Sequence, residues 1–127
     1  MKEKNCIINT YRFAKLSSAS DQNGESYEDD RTTGLQGLLL WVKYKDRDKG
    51  YARFLFFDKE GRISSITTSD GTMKSEKNII RVHTEHSEYI FMMDDHNSIP
   101  QEDRDRLLTQ AQKYIAAFEK AEQEPQD

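Results

Sequence analysis

The chain has one cysteine, two prolines, one tryptophan and no uninterrupted apolar run of membrane-spanning length, and each shortage removes a class of protein. A single thiol, Cys6, cannot close an intrachain disulfide, so the fold must stand on its core and suits a reducing, cytoplasmic setting. The opening MKEKNCIINTYRF has no apolar stretch of signal-peptide length. Positive net charge is missing too: the formal charge is −4 at pH 7, which gives no general attraction toward nucleic acid or an anionic membrane. No phosphate loop of the type G-x-x-x-x-G-K-[ST] and no nucleophile elbow G-x-S-x-G occurs, and no histidine can be assigned as a partner to Cys6. No catalytic constellation and no cofactor motif is therefore expected.

What remains is enough for one core and too little for two, since 127 residues match the size of one ordinary domain. Charged residues make up 33 % of the chain and hydrophobic ones only 35 %, so the apolar positions must be concentrated in a few elements. Cys6–Leu16 is rich in β-branched and aromatic residues and predicts a first strand. Residues 17–34 are almost wholly polar and predict a long mobile loop whose acidic cluster, Glu25, Glu28, Asp29 and Asp30 with Tyr27 among them, is a candidate interaction surface. The stretch lacks the glycine-ordered spacing of a calcium loop.

Further strands are predicted over Leu35–Lys45, Tyr51–Phe57, Arg62–Ser69, Ile79–Thr84 and Glu88–Met93. Gly50 is expected to take a positive φ in the turn before the second of these, DKEG is read as the next turn, SDGTMKSEKN as a polar connection, and Glu85–Ser87 as a tight turn. Short connections imply antiparallel neighbours. A helix is predicted from about Ile99, with Ser98 and Gln101 as a capping box and Leu107, Leu108, Ala111, Tyr114, Ile115, Phe118 and Ala121 as its apolar stripe. The expected fold is α+β: a six-stranded antiparallel meander or small half-barrel with one C-terminal amphipathic helix, a single domain over residues 1–122 with a disordered tail at 123–127. In element order alone this resembles pleckstrin-homology-like barrels, and a shared element order assigns no function.

The hairpin Gly37–Phe57 is the most informative segment. Alternation sends Leu38, Leu40, Val42 and Tyr44 to one face and Leu39, Trp41, Lys43 and Lys45 to the other, and the returning strand divides its large apolar residues in the same way. A fully buried side chain of this kind contributes about 1.5 to 3 kcal/mol, so both faces call for a cover. One helix covers one face. The second requires either a sheet that curls back on itself or a second copy of the chain in an isologous dimer.

Two functions follow from these alternatives. One is a non-catalytic interaction or inhibitory protein, of a kind that serves phages and mobile elements, which binds a macromolecular partner and self-associates as a homodimer through an apolar sheet face. The other is a module for a nucleotide or other small anionic ligand, with a pocket at a barrel end or dimer seam. Its candidate residues are Trp41, Tyr44 and Tyr51 among the cations Lys43, Lys45, Arg47 and Arg53, although Asp46 and Asp48 dilute that charge. Metal binding is not expected. His83 and His86 are too few for zinc, and Asp94 stands more than about 20 Å from His86 if the last hairpin is extended.

Overall fold

Main-chain pairing follows chain order in the computed structural model, which describes residues 6–21, 34–93 and 99–123. The elements are β1 (Cys6–Asp21), β2 (Gln36–Tyr44), β3 (Gly50–Phe57), β4 (Ile63–Thr67), β5 (Gly71–Glu76), β6 (Ile79–Thr84), β7 (Ser87–Met93) and α1 (Gln101–Gln123). All pairings are antiparallel, and the sheet order β2-β1-β7-β6-β5-β3 closes because β2 also pairs with β3. The result is a six-stranded barrel with β4 attached to the edge of β3 as a seventh strand, and the C-terminal helix lies against its outside.

Several boundaries differ from the sequence expectation. Ser17–Asp21 belongs to β1, because those residues form a ladder with β7 from Ser18 opposite Ile90 to Asp21 opposite Ser87. Only Ala19 is buried among them, so the main chain and not an apolar row makes this strand. Residues 22–33, including Glu25, Tyr27, Glu28, Asp29 and Asp30, lie outside the described residues. Gly71–Glu76 is a strand and not a connection, for the same reason: its six residues pair with β6 while only Met73 packs against the core. The helix begins at Gln101, with Arg104 N–H donating to the carbonyl of Pro100 at 2.9 Å. Ser98 lies outside the described residues, and Gln101 binds Arg104 and Asp105 instead. At its other end the helix reaches Gln123, one residue into the stretch expected as tail.

Both faces of the β2–β3 hairpin are covered from within the chain. Leu39, Trp41, Ala52, Phe54 and Phe56 point into the barrel, where they meet Leu16, Ile80, Val82 and Phe91 from the opposite wall. Phe54 and Phe91 stack at 5.2 Å between ring centres. The space lined by Leu39, Trp41, Ala52, Met73, Ile80 and Val82 leaves no room for a water molecule, so the barrel is a filled core and not a container. On the outside, Leu38, Leu40 and Leu55 pack against Ile99, Leu107 and Ala111. Arginines fasten the helix at its margin: Arg53 of β3 lies 4.5 Å over the Tyr114 ring, and Arg106 of α1 lies 4.7 Å over Phe57 while donating to the carbonyl of Gly61 at 3.1 Å. The curled sheet supplies the second cover, so the apolar hairpin needs no second copy. No helix among the described residues is long and apolar enough to cross a membrane.

Closure of the ring depends on two glycines. The seam between β3 and β5 is a single residue pair, Gly50 opposite Gly71. A Cβ at Gly50 would lie 2.2 Å from the Val42 carbonyl oxygen, and one at Gly71 would lie 2.1 Å from that of His83. Gly50 is thus required by close approach of backbones and not by a positive φ, which occurs instead at Gly34 and Gly61. Gly71→Ala is expected to cost about 1–3 kcal/mol through overpacking against backbone. Thr72→Ala, an exposed neighbour, should stay within about 0.5 kcal/mol. Urea unfolding of the two variants side by side measures the difference, and equal midpoints would contradict the role given to the seam.

Candidate functional site

The residues singled out as a ligand site divide along the strand alternation. Trp41, buried, and Lys43 sit at one end of the barrel interior, beside a recess of about 160 Å³ that also touches Asp48, Lys49, Thr72 and Met73. The Lys43 ammonium donates to the carbonyls of Tyr44 and Arg47, both at 3.1 Å, and so ties down the turn. Lys45 lies in that turn, exposed to solvent. Tyr44 and Tyr51 are on the outer face with ring centres 6.1 Å apart, and the Arg47 guanidinium covers Tyr44 at 4.4 Å. Trp41 is therefore not in one pocket with Tyr44, Tyr51 and Arg53.

Tyr51 and Arg53 instead form part of a second, larger cleft of about 590 Å³ with Thr67, Thr68, Ser69, Asp70, Glu85 and His86. Its charge is mixed, with Arg53 set against Asp70 and Glu85. The Arg53 guanidinium is also committed to Tyr114 and, through Nε, to Thr67 Oγ1 at 3.3 Å. This is a poor cage for a small anion, which needs convergent, uncommitted donors. Among the described residues no group of three or more His, Cys, Asp and Glu side chains is placed to hold a metal ion.

The cleft exists because one strand outruns its neighbour. β4 and β5 are two parts of one bent strand along the same edge of β3: Thr67 faces Arg53, Gly71 faces Gly50, and three residues between them oppose two. At this bulge Thr68 supplies both halves of a pairing, its N–H donating to the Ala52 carbonyl at 2.9 Å and its Oγ1 accepting from Ala52 N–H at 3.0 Å. On the other side, β5 pairs with β6 from Glu76 to Gly71, opposite Thr84, and the β6–β7 hairpin then turns at Glu85–His86. Continuing past that turn, β4 has no strand on its outer side among the described residues.

The hydrogen-bond phase of the β3–β4 ladder shows which groups that edge presents. Asp58 N–H donates to the Arg62 carbonyl at 2.8 Å, and Thr68 N–H to that of Ala52, so residues 62, 64, 66 and 68 turn their main-chain groups toward β3. Antiparallel alternation turns those of Ile63, Ser65 and Thr67 outward. No side chain from Ile63 to Thr67 is charged, and none is proline. Among the described residues β5 beyond Gly71 is likewise unpaired on its β3 side, but it carries Lys74 and Glu76 and is followed by Lys77. Charge is the usual guard against edge pairing, and β4 lacks it.

Two side-chain anchors hold this edge in place. The carboxylate of Asp58 accepts from the N–H groups of Glu60 and Arg62, both at 2.9 Å, which fixes the turn into β4. Those bonds, chiefly the one from Arg62, hold the Asp58 carboxyl below its ordinary value. At the far end Tyr44 OH donates to Asp70 Oδ1 at 2.7 Å and pins the bulge to β2. Burial of the phenol, and then its bond to the Asp70 carboxylate, push Tyr44 well above the ordinary tyrosine value.

Of the residues named from the sequence as a ligand site, Tyr51 and Arg53 line this cleft, whereas Thr67 to Asp70, Glu85, His86 and the edge of β4 were not among them. The available signal was ISSIT itself, five consecutive residues without charge in a chain that is one-third charged. Comparisons with protein-family models, with curated proteins and with solved structures find no match to this chain.

A phenol held above its usual value stabilises the fold fully below about pH 10 and loses that contribution as pH rises from there toward the raised value. Tyr44→Phe should cost about 1 kcal/mol at pH 7, because Asp70 is exposed and water replaces the lost donor. The gap between the two proteins should then narrow above about pH 10. Urea unfolding at neutral and alkaline pH reads this directly, and an unchanged gap would show that the phenol is not held in its neutral form by the fold.

Proposed function

We propose that this chain is a non-catalytic binding protein that docks an extended segment of a macromolecular partner along the open edge of β4. The observation that carries this reading is the edge itself: outward main-chain groups at Ile63, Ser65 and Thr67, no charged side chain to repel a strand, and a cleft of about 590 Å³ continuing from Thr67. Strand addition draws affinity from main-chain bonds and selectivity from the pockets that receive alternate side chains. The edge supplies the first and the cleft the second.

The filled barrel and the mixed charge of the cleft favour this over a small anionic ligand, and the covered hairpin faces move the contact from a sheet face to a sheet edge. A docked segment that the partner needs for its own sheet would be withheld from it, which is how such a protein acts as an inhibitor. A lone, buried cysteine suits a cytoplasmic setting.

Panning a random peptide display library against the protein at low micromolar concentration is expected to enrich β-branched segments. Ser65→Pro removes one outward N–H, at an edge position where proline leaves the β3 ladder intact. It should weaken the enriched peptides about tenfold or more, whereas Ser65→Ala should leave them bound. Failure to enrich any peptide, or peptides indifferent to Ser65→Pro, would overturn the reading.

A further inference from the structure

We infer that the edge of β4 also pairs with the β4 edge of a second copy of this chain, as an antiparallel two-fold dimer centred on Ser65, with Arg62 of each copy entering the other's cleft. The inference rests on the same open edge as the proposed function, with the occupant now specified.

Register selects the centre. The outward main-chain groups belong to Ile63, Ser65 and Thr67, a set symmetric about its middle member. When a second β4 is laid antiparallel with Ser65 opposite Ser65, Ile63 falls opposite Thr67 at both ends, and every outward N–H meets an outward carbonyl. Sliding one strand by one residue puts inward-facing groups opposite outward ones, and sliding it by two, which moves the two-fold centre to Ser64 or Ile66, leaves an end unmatched. The side-chain pairs are compatible as well: Ile63 beside Thr67 joins two β-branched residues on one face, Ser64 beside Ile66 lies on the other, and no like charges meet.

Charge selects the occupant. One step beyond the paired segment the same register sets Arg62 opposite Thr68 of the second copy, where the bulge begins and beside the mouth of the cleft that Asp70 and Glu85 line. The Arg62 side chain is 73 % exposed and ion-paired with Asp58 and Glu60, so entering the second copy's cleft exchanges these solvent-exposed carboxylates for Asp70 and Glu85. Two-fold symmetry makes the contact twice. An interface of this length lies at the small, transient end of the range for protein contacts, so association belongs at high protein concentration.

Sedimentation velocity from low micromolar to about 1 mM protein is the direct test, with dimer expected to accumulate across that range. Arg62→Glu alone and Glu85→Lys alone should each weaken dimerisation about tenfold or more. Mixed in equal amounts, the two variants should restore it, because each cleft then receives a complementary charge. Ser65→Pro should abolish the dimer in either background. A wild-type chain that stays monomeric throughout, a dimer indifferent to Ser65→Pro, or single variants that the mixture fails to rescue would overturn the inference. A monomer whose β4 edge still takes library peptides would sink the dimer and leave the proposed function standing, whereas a charge-rescued dimer that takes no peptide would do the reverse.

Discussion

The pairing of β3 with β5 at Gly50 and Gly71, each of them also pressed against the backbone of its hairpin partner, is the constraint on which the remaining architecture depends. A hairpin with large apolar groups on both faces is stable in water only when each face is covered, and a 23-residue helix covers one. The other face is buried only if the sheet bends until its far strands come round to meet β3. That meeting is one residue pair wide, and a side chain on either partner would collide with a carbonyl oxygen of its hairpin neighbour, Val42 of β2 for Gly50 and His83 of β6 for Gly71. Glycine at both positions lets the ring close, and closure puts Phe54, Trp41 and Leu39 in a dry interior.

The open edge is a consequence of how that ring closes. β3 is longer than its seam with β5, so its outer side must be satisfied by something else beyond Gly50. The chain does this with β4, which runs along Arg53–Phe57 before the bulge at Thr68 redirects it into β5 and toward β6. Since β6 and β7 turn back at Glu85–His86, the strand that completes β3 is itself left incomplete. Satisfying one edge has moved the vacancy outward by one strand. The anchors at Asp58 and Tyr44 fix both ends of that strand, so the exposed groups of Ile63, Ser65 and Thr67 are held in a row without a neighbour to hold them.

The parts of this arrangement that rest on side-chain burial were legible in the sequence. The period-two alternation from Leu38 to Phe57 gave the hairpin and both of its faces, and the three-and-four spacing from Leu107 to Phe118 gave the helix. The parts that rest on main-chain pairing were not. Ser17–Asp21 and Gly71–Glu76 are strands with almost no apolar signal, because their neighbours, β7 and β6, supply the pairing and the inner face asks little of them beyond Ala19 and Met73. Trp41 lies apart from Tyr51 and Arg53 for a related reason: strand alternation puts residues that are close along the hairpin on opposite sides of the sheet. The role of Gly50 shows the same limit, since a glycine needed for a turn and one needed for a backbone crossing look identical in sequence.

An edge strand without charge, proline or cover is normally a hazard, and β5, which among the described residues is also unpaired on its β3 side beyond Gly71, carries Lys74 and Glu76 with Lys77 after it. Two strands joined by one bulge thus receive opposite treatment. Composition does not explain this, because one residue in three is charged and chance alone would place a charge within most five-residue windows. Nor does packing, since Ser65 and Thr67 are exposed and would tolerate lysine or glutamate without disturbing either core. What distinguishes β4 from β5 is that its outward groups sit beside a cleft, so that a strand arriving there finds main-chain partners and a place for its side chains together. On the proposed reading, the edge of β4 is left without charge because a partner strand pairs with it.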